Sequence, residues 1–475
     1  MRFRFSLLAT VLAAALAGVT ARTTSVEERA SFPRMVFCHF MGVGFAYDSA
    51  DRNGMKVFIS YDFNWWNTGQ GAQIGSHMAG YASRPAQLFI NGAAFISSFA
   101  GDGVDVNAMR SAAGIPIMFV PNFHPGQGNF DVLDGALNWL GWPNNGNNKA
   151  PTPGANISVA AGDASYRSAL GSKPYLAPAS AWFSTHYGPE VSYSKNWVFP
   201  SDLLWYQRWN DLLALGPEFV EIVTWNDYGE SHYVGPLSSK HQDDGASKWV
   251  NDMSVDFAYK AGASSPNSFI TSDQIIYWYR PTLASLNCDA TDTTANTPAN
   301  NASGNYFEGR PDGWQTMQDA IFVVTLLTSP GTLTVTSGGK TQTFNAPAGA
   351  ASFSVPMAVG QQSFALARNG VNVLAANSLK DISNVCPCGL YNFDAYTGSV
   401  PPNFIDPLGP DGLNSLVAGL HVSTCRPTPS LPTSAPPYTG PGGQPTGIVY
   451  GPGLRDRIRR ITVMGEDSEI FHFVA

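Results

Sequence analysis

The chain has 475 residues, 44% hydrophobic and 13% charged, enough apolar material for one large core and in keeping with two domains. Its net charge of −8 and pI near 5.4 leave no broad positive field to hold phosphate backbones, which excludes nucleic acid as a partner class. Past the first residues no apolar run approaches the ~20 residues that a membrane helix needs, which excludes a membrane-spanning chain.

Met1 to Ala21 opens with Arg2 and Arg4, continues through an apolar run from Phe5 to Ala17, and ends in Val19-Thr20-Ala21, a small-residue pattern suited to signal peptidase. We expect a cleaved signal peptide and a soluble, secreted mature chain. The sequons Asn156-Ile-Ser and Asn301-Ala-Ser make both asparagines glycosylation candidates, in agreement with export.

From Met35 onward short apolar segments recur between helix-like or loop stretches: MVFCHFM, KVFISY, AFISSF, IPIMFV, DGALNWL, KPYLAP and FVEIVTW. Such runs predict parallel strands covered on both faces, hence an α/β fold over residues 22–284. The clearest helix is PSDLLWYQRWNDLLALG. Pro200 and Ser201 mark its start, Leu204, Trp205, Leu212 and Leu213 form its apolar stripe, and Gly216-Pro217 mark its stop. Several strands run out into polar or aromatic residues, among them Asp62, Asp102, Asn122, His124, Trp182 and Asp227. A (β/α)8 TIM barrel collects function at that end of most strands, whereas a doubly wound sheet concentrates it at one switch point, so the barrel is the expected architecture. Only seven strand candidates are present where a barrel needs eight. Gly42 to Met55 is barely long enough for a minimal crossover, so a βα unit is expected to be missing there.

Beyond about Ser285 the texture changes. AIFVVTLL, GTLTVTSGG, KTQTFNAP, ASFSVPM, QSFALARNG and VNVLAAN are short alternating segments with Gly and Pro turns, which predicts a β-sandwich accessory domain over residues 285–426. Residues 427–453, rich in Pro, Gly, Ser and Thr, read as a disordered linker, and 454–475 as a surface tail with four arginines between Arg455 and Arg460. Cys288, Cys386, Cys388 and Cys425 suffice for two disulfides with the pairing open, while Cys38 reads as a buried thiol.

The segment EIVTWNDYGESHYVGP, Glu221 to Pro236, holds the best paired carboxylates in the chain, Asp227 and Glu230. Glycoside hydrolysis needs two such groups, one protonated to donate to the leaving oxygen and one ionised to activate water or attack. Gly229 gives the intervening loop freedom to splay them apart. Sugars are also bound by aromatic faces, for which Trp65, Trp66, Trp182, Tyr187, Trp225, Tyr228 and Tyr233 are candidates beside core packing. Asp62 and Asp102 sit at matching strand ends and could orient sugar hydroxyls; a helix-capping role competes for Asp102. Asn226 flanks the pair. Glu221, inside its strand, must be ion-paired or protonated if buried. His39, His124, His186 and His232 all fall near strand ends, yet none shows HxH or HExxH spacing, so no metal or other cofactor is expected, and substrate contact is the functional reading for the last three. No GxSxG elbow is present.

WNDYGESHYVGP, with PSDLLWYQRW before it and DDGASKWVN after it, resembles glycoside hydrolase family 71, the fungal α-1,3-glucanases or mutanases. FCHFM, KVFISYDFNWW, FISSFAGDG and KPYLAPASAWF resemble the same family, over about Met35 to Pro266 and into the β-rich region. The resemblance implies a (β/α)8 barrel, an inverting mechanism and hydrolysis of α-1,3-glucan in cell walls. It places the catalytic pair on Asp227 and Glu230 and puts Asp62 and Asp102 along the cleft; it leaves open which of the pair is acid and which base, and we favour Glu230 as acid and Asp227 as base. It also implies that this chain lacks the family's second strand and first helix. A glucan-binding wall protein without turnover is the alternative expectation.

Overall fold

The computed structural model describes residues 32–41, 46–146, 148–186, 196–227, 229–234, 267, 270–291, 310–386, 391–401 and 470–474. The expected signal peptide, Tyr187, Asn301, Tyr228, the linker, Cys388 and Cys425 lie outside these residues. Among the described residues no helix is long and apolar enough to cross a membrane.

All seven predicted strands form. In chain order the N-terminal region contains β1 (Met35–Met41), α1 (Ala46–Arg52), β2 (Lys56–Asp62), α2 (Gly71–Tyr81), β3 (Phe89–Ile90), β4 (Ala93–Phe99), α3 (Val106–Ala113), β5 (Ile117–Phe119), β6 (Ala136–Leu137), α4 (Val159–Leu170), β7 (Tyr175–Ala179), β8 (Ser184–His186), β9 (Asn196–Val198), α5 (Leu204–Leu215) and β10 (Phe219–Ile222). The helix expected from Pro200 begins at Leu204 instead, and its stop is as read: Gly216 is left-handed, with its N–H on the Leu212 carbonyl. The β-rich region follows as β11 (Gln274–Tyr279), β12 (Ala320–Leu327), β13 (Gly331–Ser337), β14 (Lys340–Ala346), β15 (Gly349–Pro356), β16 (Gln362–Arg368), β17 (Val371–Asn377) and β18 (Tyr396–Val400). A last strand, β19, spans Ile470–Val474.

The large sheet runs β3-β4-β2-β19-β1-β10-β7-β6, with β5 on the other side of β4. Its β1–β10, β10–β7, β7–β6, β2–β4 and β4–β5 pairings are parallel. Phe37, Phe58, Phe95, Met118, Leu137, Leu176 and Phe219, from β1, β2, β4, β5, β6, β7 and β10, meet in one buried cluster. A flat sheet could not bring its two ends together in this way, so the sheet curls into a barrel-like form. Among the described residues no ladder joins β5 to β6, but the Leu137 N–H donates to the Pro121 carbonyl at 2.8 Å across that seam.

Between β1 and β2 no parallel strand occurs among the described residues. One helix, the seven-residue α1, stands between β1 and β2. The place of the missing strand is taken by β19, which pairs antiparallel with β1 on one side and β2 on the other. Residues 470–474 of the expected surface tail thus pair within the sheet. An antiparallel strand needs no crossover from its neighbours, so a distant segment of the chain can supply it.

The outer layer explains several residues whose role was not read from sequence. Gly75 lets α2 approach α3: a Cβ there would lie 2.0 Å from the Met109 carbonyl oxygen. Arg208 of α5, wholly buried, grips Asp163 of α4 with both terminal nitrogens at 2.5 and 2.9 Å, while its Nε donates to the Pro178 carbonyl and Tyr175 donates to the same carboxylate. Such a fork satisfies a buried cation that would otherwise be costly.

The β-rich region consists of a pair of four-stranded antiparallel sheets, β15-β12-β11-β18 and β14-β13-β16-β17, which share a core of Ile275, Tyr277, Val323, Leu333, Phe364 and Leu366. β11 precedes residue 285 and belongs to these sheets. Cys288 pairs with Cys386, and Cys38 is a free thiol at the margin of the barrel core. The barrel-like sheet and the β-rich region are tied together: Trp278 Nε1 donates to the Asp202 carbonyl at 2.7 Å, and Trp278 and Phe322 join the core formed by the large sheet and its helices.

Candidate active site

Parallel strands place their C-terminal ends on one side of the sheet, so the segments after β2, β4, β5, β7 and β10 share that side. Asp62 closes β2, and its carboxylate accepts the Asn64 N–H at 2.8 Å. Trp65 in the same loop is 73% exposed, the one open tryptophan among the described candidates. Asp102 follows β4 and does not cap a helix: its two oxygens take the backbone N–H and the Nδ1 of His124, each at 2.7 Å. Trp182, after β7, is buried against Trp278 with ring centroids 6.1 Å apart, which makes it a core residue. Trp225 is half-buried, and Asn226 is fully buried beside Asp227. The side chain of His186 lies outside what the structure describes, and Asn156 is exposed.

The loop after β10 is built by its own backbone. Thr224 pairs with His232 and Val234, its N–H on the His232 carbonyl at 2.9 Å and its carbonyl receiving the Val234 N–H at 3.0 Å. Inside this closed turn the Thr224 hydroxyl accepts the Asp227 N–H at 2.9 Å, and an Asp227 oxygen accepts the Glu230 N–H at 3.0 Å. Asp227 and Glu230 are thereby fixed relative to each other and to the strand end.

His232 stands between them. Its Nε2 lies 3.1 Å from Asp227 Oδ2 and 3.1 Å from Glu230 Oε2, and its side chain is 0% exposed against 12% for Glu230. The ring stacks on Phe183 at 5.6 Å and tilts against Trp142 at 5.1 Å. The ring is therefore closed to solvent and meets the site only through the two carboxylates. Burial, the largest single influence, pushes its pKa down, but the charge of Asp227 and hydrogen bonds to Asp227 and Glu230 outweigh burial and raise it from 6.5 to about 9. At neutral pH His232 is an imidazolium holding both carboxylates.

One oxygen or nitrogen from each of Asp227, Glu230 and His232 lies within 4.8 Å of the others, a spacing at which the three could hold a cation. A cation there would take the place of the proton that His232 Nε2 shares with the two carboxylates.

Because the folded pKa of His232 stands above its unfolded value, the stabilising contribution is complete below pH 6.5 and lost as pH rises through about 9. Thermal unfolding followed from about pH 6 to pH 10 should show this loss, and His232→Gln should flatten it. A parent profile already flat over that window would contradict the charged bridge.

Beneath the site, His39 Nδ1 meets Glu221 Oε1 at 2.9 Å with both residues wholly buried, the ion-pair alternative raised for Glu221. Burial raises the Glu221 pKa and His39 draws it back. Trp139 links the two levels, with its ring 4.7 Å from His39 and 6.4 Å from His232.

The family model of glycosyl hydrolase family 71 matches residues 39–408. A mutanase of Penicillium rubens is 39% identical over 385 residues, covering 78% of this chain and 79% of the relative. The glucan endo-1,3-alpha-glucosidase agn1 of Schizosaccharomyces pombe is 36% identical, covering 74% of this chain and 82% of the relative, and an ascus wall endo-1,3-alpha-glucanase of the same yeast is 28% identical. With most of its length matched, from β1 through the β-rich sheets, this chain belongs to glycosyl hydrolase family 71.

Proposed function

We propose that this chain is a secreted glycoside hydrolase that cleaves the α-1,3-glucosidic bonds of cell-wall α-1,3-glucan, on a (β/α)8 barrel with β19 as its second stave and with the two smaller sheets as a β-sandwich beside it. The observation that carries the reading is the Asp227–His232–Glu230 arrangement at the C-terminal end of β10, with both carboxylates 3.1 Å from one imidazole nitrogen. The names of the relatives supply the linkage.

Asp227 accepts the Glu230 amide and faces the imidazolium, and we assign it the base. Glu230, the more open of the two, is assigned the acid; beside the imidazolium it rests ionised, so it must take up a proton before it donates to the leaving glycosidic oxygen. Trp65 supplies an open aromatic face for a glucosyl unit, and Asp62, Asp102 and His124 supply polar groups on the same side of the sheet. We assign inversion. An oxygen of each carboxylate lies within 4.8 Å of the other, closer than the roughly 6.5–9.5 Å at which an inverting pair holds a water between its groups. Inversion therefore requires the two carboxyl groups to move apart as the sugar and the attacking water enter between them.

The test is sugar release from insoluble α-1,3-glucan by the purified chain, with the first product read by proton NMR and a parallel reaction in chelator. Release of the β-anomer, unaffected by chelator, is the expected result. An α-anomer would overturn inversion, and loss of activity in chelator would overturn a mechanism resting on the carboxylates alone. A second reading, a glucan-binding wall protein without turnover, is favoured by the lack of a parallel strand between β1 and β2 among the described residues. Binding without release would select it.

A further inference from the structure

We propose that His232 is the proton relay of the reaction: its Nε2 hands a proton to Glu230 before the glycosidic bond breaks and takes one back from Asp227 afterwards. The proposal deepens the reading of Asp227 as base and Glu230 as acid, and rests on it.

An inverting acid–base pair ends each turnover in the wrong protonation state. Glu230 has given its proton to the leaving oxygen, and Asp227 has taken one from water. A proton must cross from one carboxyl group to the other before the next cycle. Here both carboxylates face the same atom, His232 Nε2, at 3.1 Å each, Asp227 through Oδ2 and Glu230 through Oε2. Their side chains are 8% and 12% exposed and so meet little solvent, whereas the imidazole between them meets none. The shortest path between the two carboxyl groups runs through that one nitrogen.

The ring cannot turn away from them. Phe183 stacks on it at 5.6 Å with 12° between the planes, and Trp142 packs on it at 5.1 Å. Trp142 is itself fixed, its Nε1 donating to the Trp182 carbonyl at 3.0 Å. The second ring nitrogen, Nδ1, is buried and has no hydrogen-bond partner among the described residues, so the ring exchanges protons at Nε2. A carboxylate or carbonyl on Nδ1 would strengthen the ring's basicity. Without one, the Nε2 proton is easier to give up.

The steps balance. In the empty site the imidazolium and the two carboxylates carry one net negative charge. Transfer from Nε2 to Glu230 Oε2 breaks an N–H bond and forms an O–H bond, leaving a neutral ring, a neutral acid and an ionised Asp227, with the net charge unchanged. A sugar covering the site removes water that favours separated charges, and this transfer cancels two of them. Glu230 then gives that proton to the leaving glycosidic oxygen. Asp227 takes a proton from the water whose oxygen bonds to the anomeric carbon. Once the products leave, Asp227 returns its proton to Nε2 and the starting state is restored, with one water consumed and no other reactant.

The first test compares His232→Gln with the parent on two substrates: α-1,3-glucan, and the glycosyl fluoride of an α-1,3-linked oligosaccharide, whose fluoride leaves without a donated proton. The Gln side chain keeps an N–H beside the carboxylates but passes no proton on. On glucan kcat should fall about 10- to 100-fold, and on the fluoride no more than about threefold. An equal fall on both substrates would make His232 a structural support of the pair, and an unchanged kcat on glucan would show that solvent carries the proton; either result overturns the relay. The second test needs no variant to fold. Nitrogen-15 shifts of the His232 ring are read in the parent at neutral pH before and after addition of a thio-linked α-1,3-oligosaccharide, which is not cleaved. Nε2 should pass from protonated to bare as the sugar binds, and a ring that stays charged overturns the proposal. Release from glucan with a ring that stays charged would sink the relay alone, whereas no release with a ring that discharges would keep the relay and sink turnover of glucan.

Discussion

Replacing Glu230 with Gln, or Asp227 with Asn, is expected to reduce sugar release from α-1,3-glucan about 10²- to 10⁴-fold, the range a positioned acid or base contributes. Each substitution keeps the side chain's size and an oxygen that can accept, so the Asp227 contact with the Glu230 N–H at 3.0 Å and the fold should survive. The lost function is proton transfer. Each variant also removes one of the two negative charges facing His232, so the imidazolium, held up to about 9 by both, should titrate lower in either variant. NMR titration of the His232 ring gives a readout separate from activity. Retention of more than about a tenth of the parent rate by Glu230→Gln or Asp227→Asn would sink the assignment of that carboxylate.

Deleting residues 470–475 is expected to cost most of the chain's stability. β19 pairs over five residues with β1, from Phe37↔Val474 to Met41↔Ile470, and over five with β2, from Ile470↔Ser60 to Val474↔Lys56. At a net ~0.5–1.5 kcal/mol per hydrogen bond, removing both ladders is worth on the order of 5 kcal/mol, comparable to the whole folding free energy of a small domain. It also bares two facing strand edges. The truncated chain should lose cooperative unfolding or melt far lower, and a synthetic peptide of residues 466–475 should restore some of the loss by adding as a strand. A truncated chain melting within about 2 °C of the parent would remove β19 from the barrel.

The features behind these two expectations differ in how local they are. Asp227 and Glu230 are three residues apart in one loop, and their pairing is a local fact. The bridging position of His232 is not, because Phe183 and Trp142 arrive from other segments to bury its ring. Trp182 read equally well as rim or core until Trp278 of the β-rich region packed on it.

The seven parallel strands, the closing helix before β10 and most of the alternating strands of the β-rich region were written in local pattern, because the period of apolar residues reports which faces a segment buries. The short link between β1 and β2 likewise announced that a strand was wanting. Which segment would fill that place could not be read, since strand pairing depends on backbone groups that every residue carries alike, and β19 comes from more than 400 residues away. The same holds for the turn that carries Asp227 and Glu230. Its acids were legible as side chains, whereas the imidazole between them takes its place only once distant segments share one interior, where burial makes each unpaired polar group expensive and each pairing decisive.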